Sequence, residues 1–138
     1  MGETQYEVKR EVTLPADREE VWQALTEPVL VEQWLAEEVE IDLREGGEIR
    51  LRYEGGEERR GTVEEVIEEE RLRIRWRRES RPETHVDFVL ADAGAGTRLV
   101  VVESVHAPVG LVSTGGGDAR LFTLEVFMLA RGAALLSA

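Results

Sequence analysis

From Tyr6 to Leu14 the chain alternates apolar with polar side chains, with Tyr6, Val8, Val12 and Leu14 in phase and only Arg10 breaking the apolar set. That is the period of a half-buried strand. The period then changes. Asp17, followed three residues later by Glu20, forms a capping-box-like pair, and Val21, Trp22 and Leu25 give the short helix it opens one apolar face. Pro28 interrupts this helix, and Val29 to Leu35 reads as a second short helical turn carrying Leu30, Trp34 and Leu35 on its inner side. From Val39 onward the two-residue period returns as a meander. Val39, Ile41 and Leu43 alternate up to Gly46-Gly47, and Ile49, Leu51 and Tyr53 up to Gly55-Gly56. Both glycine pairs supply the positive φ that tight hairpins need. Gly61 and Val63 begin a further strand that breaks near Val66-Ile67. Leu72, Ile74 and Trp76 alternate with Arg71, Arg73, Arg75 and Arg77, and Val86, Phe88 and Leu90 form the next inward set. After a turn from Asp92 to Gly96 come Thr97, Leu99, Val101, Glu103 and Val105.

The stretch from Ala107 to Gly117 has no period and ends in three glycines, so it reads as a loop, and Asp118 caps a helix running nearly to the end. At about 1.5 Å rise per residue that helix spans roughly 30 Å, enough to cross a small sheet. The outline is one strand, two short helices, six strands and a long helix. An antiparallel sheet with one apolar face must cover it, and the last helix is the long element available for that. The expected class is α+β: a curved antiparallel sheet closed over the C-terminal helix, in a single domain spanning residues 1–138.

Charge narrows the partners. Twenty-nine acidic against 17 basic side chains give a formal net charge of −12. Such a surface repels phosphate backbones and anionic lipid headgroups, so neither nucleic acid nor a membrane is expected as a partner. The densest apolar stretch, Leu121 to Leu136, is too short for a span and carries Glu125 and Arg131. The absence of cysteine removes disulfides and thiolate chemistry. With no apolar signal-like segment between Met1 and Glu11, it fits a cytoplasmic protein.

Candidate chemistry is sparse. The two histidines are His85, placed on the outward face by alternation, and His106; neither suggests a metal, and no cofactor is expected. Ser104 lacks a nucleophile elbow. Gly115 to Gly117 lead into Asp118 where a phosphate would bind, which favours a plain loop or gate. The arginines Arg71, Arg73, Arg75, Arg77, Arg78 and Arg81 form an outer stripe, with Glu64, Glu65, Glu68, Glu69 and Glu70 just upstream as cross-strand partners. Two carboxylates stand out. Glu103 takes the inward slot of the last strand, and Glu125 lies near the middle of the apolar arc of the C-terminal helix. A buried carboxylate calls for a partner or a raised pKa; the alternative for Glu103 is a place at the strand end near water, and for Glu125 a salt bridge at the end of the cavity with an inward arginine such as Arg10. Tyr53, Trp76, Trp34 and Phe88 are inward aromatics, suited to plain core or to a ligand wall. On the outer arc of the last helix, Phe127 beside Ala130 and Ala134 makes a strip on which a second copy could pack as a homodimer.

Several short motifs occur in an order that resembles a known family. They are Leu14-Pro15-Ala16, Glu20-Val21-Trp22-Gln23-Ala24-Leu25-Thr26-Glu27-Pro28, Gln33-Trp34, Gly46-Gly47-Glu48-Ile49-Arg50, Gly61-Thr62-Val63, Arg71-Leu72 with Trp76, and Gly96-Thr97-Arg98-Leu99. Together they resemble the START and birch-pollen-allergen (SRPBCC) superfamily, and most of all the branch named after the activator of the heat-shock protein 90 ATPase. The resemblance implies a helix-grip fold, with seven strands wrapped round the C-terminal helix, and a cavity between them for a lipid, steroid, polyketide or other apolar ligand. Where the family's last strand often reads His-Ser-Gly, this chain has Glu103-Ser104-Val105, so no family histidine carries over.

The leading expectation is a binding module for a small hydrophobic molecule. Its candidate wall is Trp34, Ile49, Leu51, Tyr53, Ile74, Trp76, Phe88, Val101, Leu121 and Met128, with Glu103 and Glu125 orienting a polar group. One alternative is a cyclase or dehydratase using Glu103 or Glu125 as acid or base. The other, from the branch name, is a co-chaperone acting on a heat-shock ATPase.

Overall fold

A computed structural model describes residues 3–78 and 83–108, with side chains over 7–77 and 83–105. Strand β1 (Glu3–Leu14) forms one edge of a curved sheet. It pairs antiparallel along its whole length with β7 (Gly96–Pro108), from Glu3 opposite Pro108 to Leu14 opposite Thr97. Alternation alone starts the first strand at Tyr6 and the loop at Ala107. Both boundaries move outward because each strand offers the other a ladder of backbone partners, which side-chain pattern does not record.

The chain then leaves the β1 edge through α1 (Arg18–Thr26) and α2 (Pro28–Val31). Asp17 caps α1 as its spacing predicts, its Oδ1 accepting from the Glu20 N–H at 2.9 Å. The second helix ends at Val31, four residues short of the expected Leu35, and residues 32–35 continue as a turn. Val31 rather than Leu30 takes the fully buried place. Trp34 still turns inward, because its indole Nε1–H donates to the Ala24 carbonyl at 2.8 Å and ties the turn to α1. The Glu32 carboxylate accepts from the Val39 N–H at 3.1 Å, setting where the next strand begins.

That strand is β2 (Glu38–Ile41), followed by β3 (Glu48–Arg52), β4 (Glu58–Ile67), β5 (Arg71–Arg78) and β6 (Thr84–Ala93). The seven strands lie in the order β1-β7-β6-β5-β4-β3-β2, every neighbour antiparallel. The helices therefore carry the chain from one edge of the sheet to the other. Leu43, expected to end β2, lies beyond it and is exposed. In the Gly46-Gly47 pair only Gly46 has positive φ, at 81°, whereas a Cβ on Gly47 would collide with the Asp42 carbonyl oxygen. β4 starts at Glu58, not at Gly61, and its irregularity is a bulge between Val63 and Glu65 rather than a break near Val66. The extra residue, Glu64, lets Val63 and Val66 both face inward across from Ile74 and Leu72.

Inward alternation then builds the core: Ile49, Leu51 and Tyr53 on β3, Val63 on β4, Leu72, Ile74 and Trp76 on β5, Val86, Phe88 and Leu90 on β6, and Leu99 and Val101 on β7. Val21, Trp22 and Leu25 of α1 join the same cluster. At the corner beside β1, the fully buried Thr97 donates its hydroxyl to the Ala16 carbonyl at 2.7 Å. The expected C-terminal helix, with Leu121, Glu125, Met128 and the Phe127 strip, lies outside the described residues. So do Arg81 and the side chains of Arg78 and His106. Among the described residues no helix is long and apolar enough to cross a membrane.

Candidate functional site

The concave face carries the residues that alternation pointed inward. Trp34, Ile49, Leu51, Ile74, Trp76 and Phe88 line one apolar void of about 30 Å³, with Leu35 and Ile41 as its less buried side. Val101 is buried further along the same face, on β7. Tyr53 is buried just past the end of β3.

Beside this void sits a residue that the sequence pattern did not single out. Arg59 is only 6% exposed, although it stands in the charged run Glu57-Glu58-Arg59-Arg60. Strand register explains it: Arg59 faces Leu51 and shares the inner face with Gly61 and Val63. Its guanidinium carbon lies over both the Tyr53 and the Trp76 ring, 5.2 Å from each ring centre, a pair of cation–π contacts. The Glu57 carboxylate is 3.7 Å from its Nε. Gly61 makes room for this stack. A Cβ there would run into the Arg75 carbonyl oxygen and stand 2.8 Å from the Trp76 Cβ, displacing the strand that carries the ring. The readable signal was Arg59-x-Gly61-x-Val63, in phase with Leu51 and Ile49 across the hairpin.

Glu103 is half-buried on the inner face, between Val8 of β1 and Val86 of β6. It is not at a strand end, since β7 continues to Pro108. Arg10 faces Val101, one diagonal step from Glu103, and both charged side chains have partners. Glu125, the other carboxylate expected to converge here, falls outside the described residues.

The convex face is a lattice of ion pairs. Arg71 donates to both carboxylate oxygens of Asp87, at 2.9 and 2.6 Å, and this bond raises the guanidinium pKa further above its ordinary range. Arg60 is raised likewise by its hydrogen bond to Glu58. Glu64 and Glu65 meet Arg73 and Arg71, as the stripe predicts, and Asp87 and Glu83 add partners that it did not. His85 points outward but is half-buried rather than freely solvated, its Nδ1 lying 2.9 Å from Glu64. An open groove of about 670 Å³ on this face is lined by Glu48, Glu58 and Glu83 against Arg60, Arg75 and Arg77, so its charges offset one another. Among the described residues no group of three or more His, Cys, Asp or Glu could hold a metal ion.

The family model described as Activator of Hsp90 ATPase homolog 1-like protein matches residues 15–117. A protein of Rhizobium leguminosarum has a similar structure at TM-score 0.79 and 22% identity, over 94% of this chain and 97% of its own. CalU16 from Micromonospora echinospora is 26% identical, with TM-score 0.71, over 99% of this chain and 98% of its own. DynU16, a protein in the dynemicin biosynthetic locus, is also 26% identical with TM-score 0.71, over 96% of this chain. Only 47% of DynU16 is covered, so this chain spans about half its length. No curated protein matches the chain.

Proposed function

Because the chain belongs to the Activator of Hsp90 ATPase homolog 1-like family, we propose that it binds a small hydrophobic molecule, of lipid, polyketide or steroid-like character, against the concave face of its sheet. The observation that supports this reading is the unfilled apolar space between Trp34, Ile49, Leu51, Ile74, Trp76 and Phe88. Plain cores close such gaps, since interiors pack at crystal-like density. At about 30 Å³ the void has room for a water or two, whereas small-molecule sites run to roughly 300–1,000 Å³. Ligand entry therefore moves side chains, and Leu35 and Ile41 are the least buried part of the lining. The fold's occurrence in a protein of a biosynthetic locus is in keeping with a small-molecule partner. With no cysteine to protect, a cytoplasmic location fits the same reading.

Native mass spectrometry of the protein purified from its own host tests the proposal. A non-covalent adduct of small-molecule mass, lost on gentle activation, is the expected result. A spectrum of bare protein that also retains no added steroid, fatty alcohol or polyketide contradicts it.

A further inference from the structure

We propose that the outer edge of β1 receives the β1 of a second copy of this chain, antiparallel about a two-fold axis at Val8. β1 ends the strand order, so among the described residues its backbone is paired on one side only, by β7. An edge of this kind presents a row of N–H and C=O groups to any strand that can align with it. Proteins commonly blunt such edges with proline, a bulge or brevity. The opposite edge, β2, is four residues long. β1 runs for 12 residues, contains no proline, and keeps an unbroken register with β7.

Side-chain charge selects the partner and the register. Glu7, Lys9 and Glu11 are exposed on the convex face, alternating with the half-buried Val8, Arg10 and Val12. Glu11 meets Arg98 of β7, whereas Glu7 and Lys9 make no ion pair among the described residues. Side chains directly opposite one another share a face of the sheet. A second β1 therefore keeps both concave faces on one side only where odd positions meet odd positions. An antiparallel pair about Val8 does so, and it sets Glu7 opposite the partner's Lys9 and Lys9 opposite the partner's Glu7. Moving the axis to Glu7, Lys9 or Arg10 sets that charge against its own copy, which repels. The axis at Val8 thus matches both unpaired charges, over an overlap running from Glu3 to Thr13. The contact is isologous, each copy giving the same strand, so it closes at two chains.

Sedimentation velocity of the full chain, from low to high micromolar concentration, tests this, and a reversible dimer is expected. Lys9→Glu turns two attractive pairs into two repulsive ones, so it is expected to weaken association about tenfold or more. The charge-swapped chain with Glu7→Lys and Lys9→Glu together is expected to restore it. Both side chains are exposed, so folding should be unaffected, as far-UV circular dichroism checks. Amide hydrogen exchange on the wild-type chain reads the same contact without any substitution: protection in β1 should rise with protein concentration, and protection in β2 should not. A chain that stays monomeric throughout overturns the proposal. So does a dimer equally strong with Lys9→Glu, as a contact through another surface would give, or one that the double swap does not restore.

Discussion

Arg59 and Arg71 stand on neighbouring strands and carry the same cation, yet one is buried against two aromatic rings and the other is clamped to a carboxylate at the wet surface. Arg71 is interchangeable in kind with its neighbours: Arg50, Arg60, Arg73 and Arg75 all have acidic partners on the same convex face. Ion pairs of that sort contribute little each, because water already solvates both ends. Arg59 has given up most of that water, so its surroundings must make up the loss. The two faces of the sheet thus differ in what a substitution disturbs: packing and cavity shape inside, screened charge outside.

The inner face gives the largest expected effects. Leu51→Ala removes a side chain that is 1% exposed and enlarges an existing void, so it should cost about 2–5 kcal/mol in urea unfolding. Gly61→Ala should cost about 1–3 kcal/mol, because strand β5 must shift to admit the methyl group. Thr97→Val leaves the Ala16 carbonyl without its buried donor and should lower stability by about 1–3 kcal/mol in the same assay.

The outer face should respond far less. Asp87→Asn breaks the paired bond to Arg71, whose partners are partly solvated, and the loss should stay below about 1 kcal/mol. In about 1 M salt the difference from wild type should shrink further, since screening then acts over roughly 3 Å. The pH dependence has a definite sign. A cation whose folded pKa is raised contributes stability that is fully present below its unfolded value and is lost only as pH rises through the folded one. For Arg71 that window lies far above neutrality. The Asp87→Asn difference should therefore hold constant between about pH 6 and pH 9, as thermal melts of both proteins can check.

Period and capping chemistry made most of the architecture legible in advance. The Asp17 cap, the alternation Leu72-Ile74-Trp76 against Arg71-Arg73-Arg75, and the glycine turn at Gly46 all act within a few residues, so local pattern carries them. What pattern missed depends on the partner strand. The starts of β1 and β4 are set by ladder neighbours, the bulge at Glu64 by the register against β5, and the shortened α2 by the Trp34 bond to Ala24. Arg59 belongs to this second class. In the sequence it is one more charge among Glu57, Glu58 and Arg60, and only its place opposite Leu51 turns it inward. The apolar lining, by contrast, stood in the alternation, although that pattern is shared by any packed core and does not distinguish a wall from a filling.

On the proposed function, the concave face, and not the convex one, receives a small apolar molecule. Methyl-resolved NMR of the full chain titrated with 1-decanol tests it most directly. Ile49, Leu51, Val63 and Ile74 report the inner face, and Val89 and Ile67, both exposed, report other surfaces of the same sheet. Saturable shifts are expected at the inner methyls, with Val89 and Ile67 unmoved. Shifts spread over both groups, or no saturable shift at Ile49, Leu51 and Ile74, would contradict it.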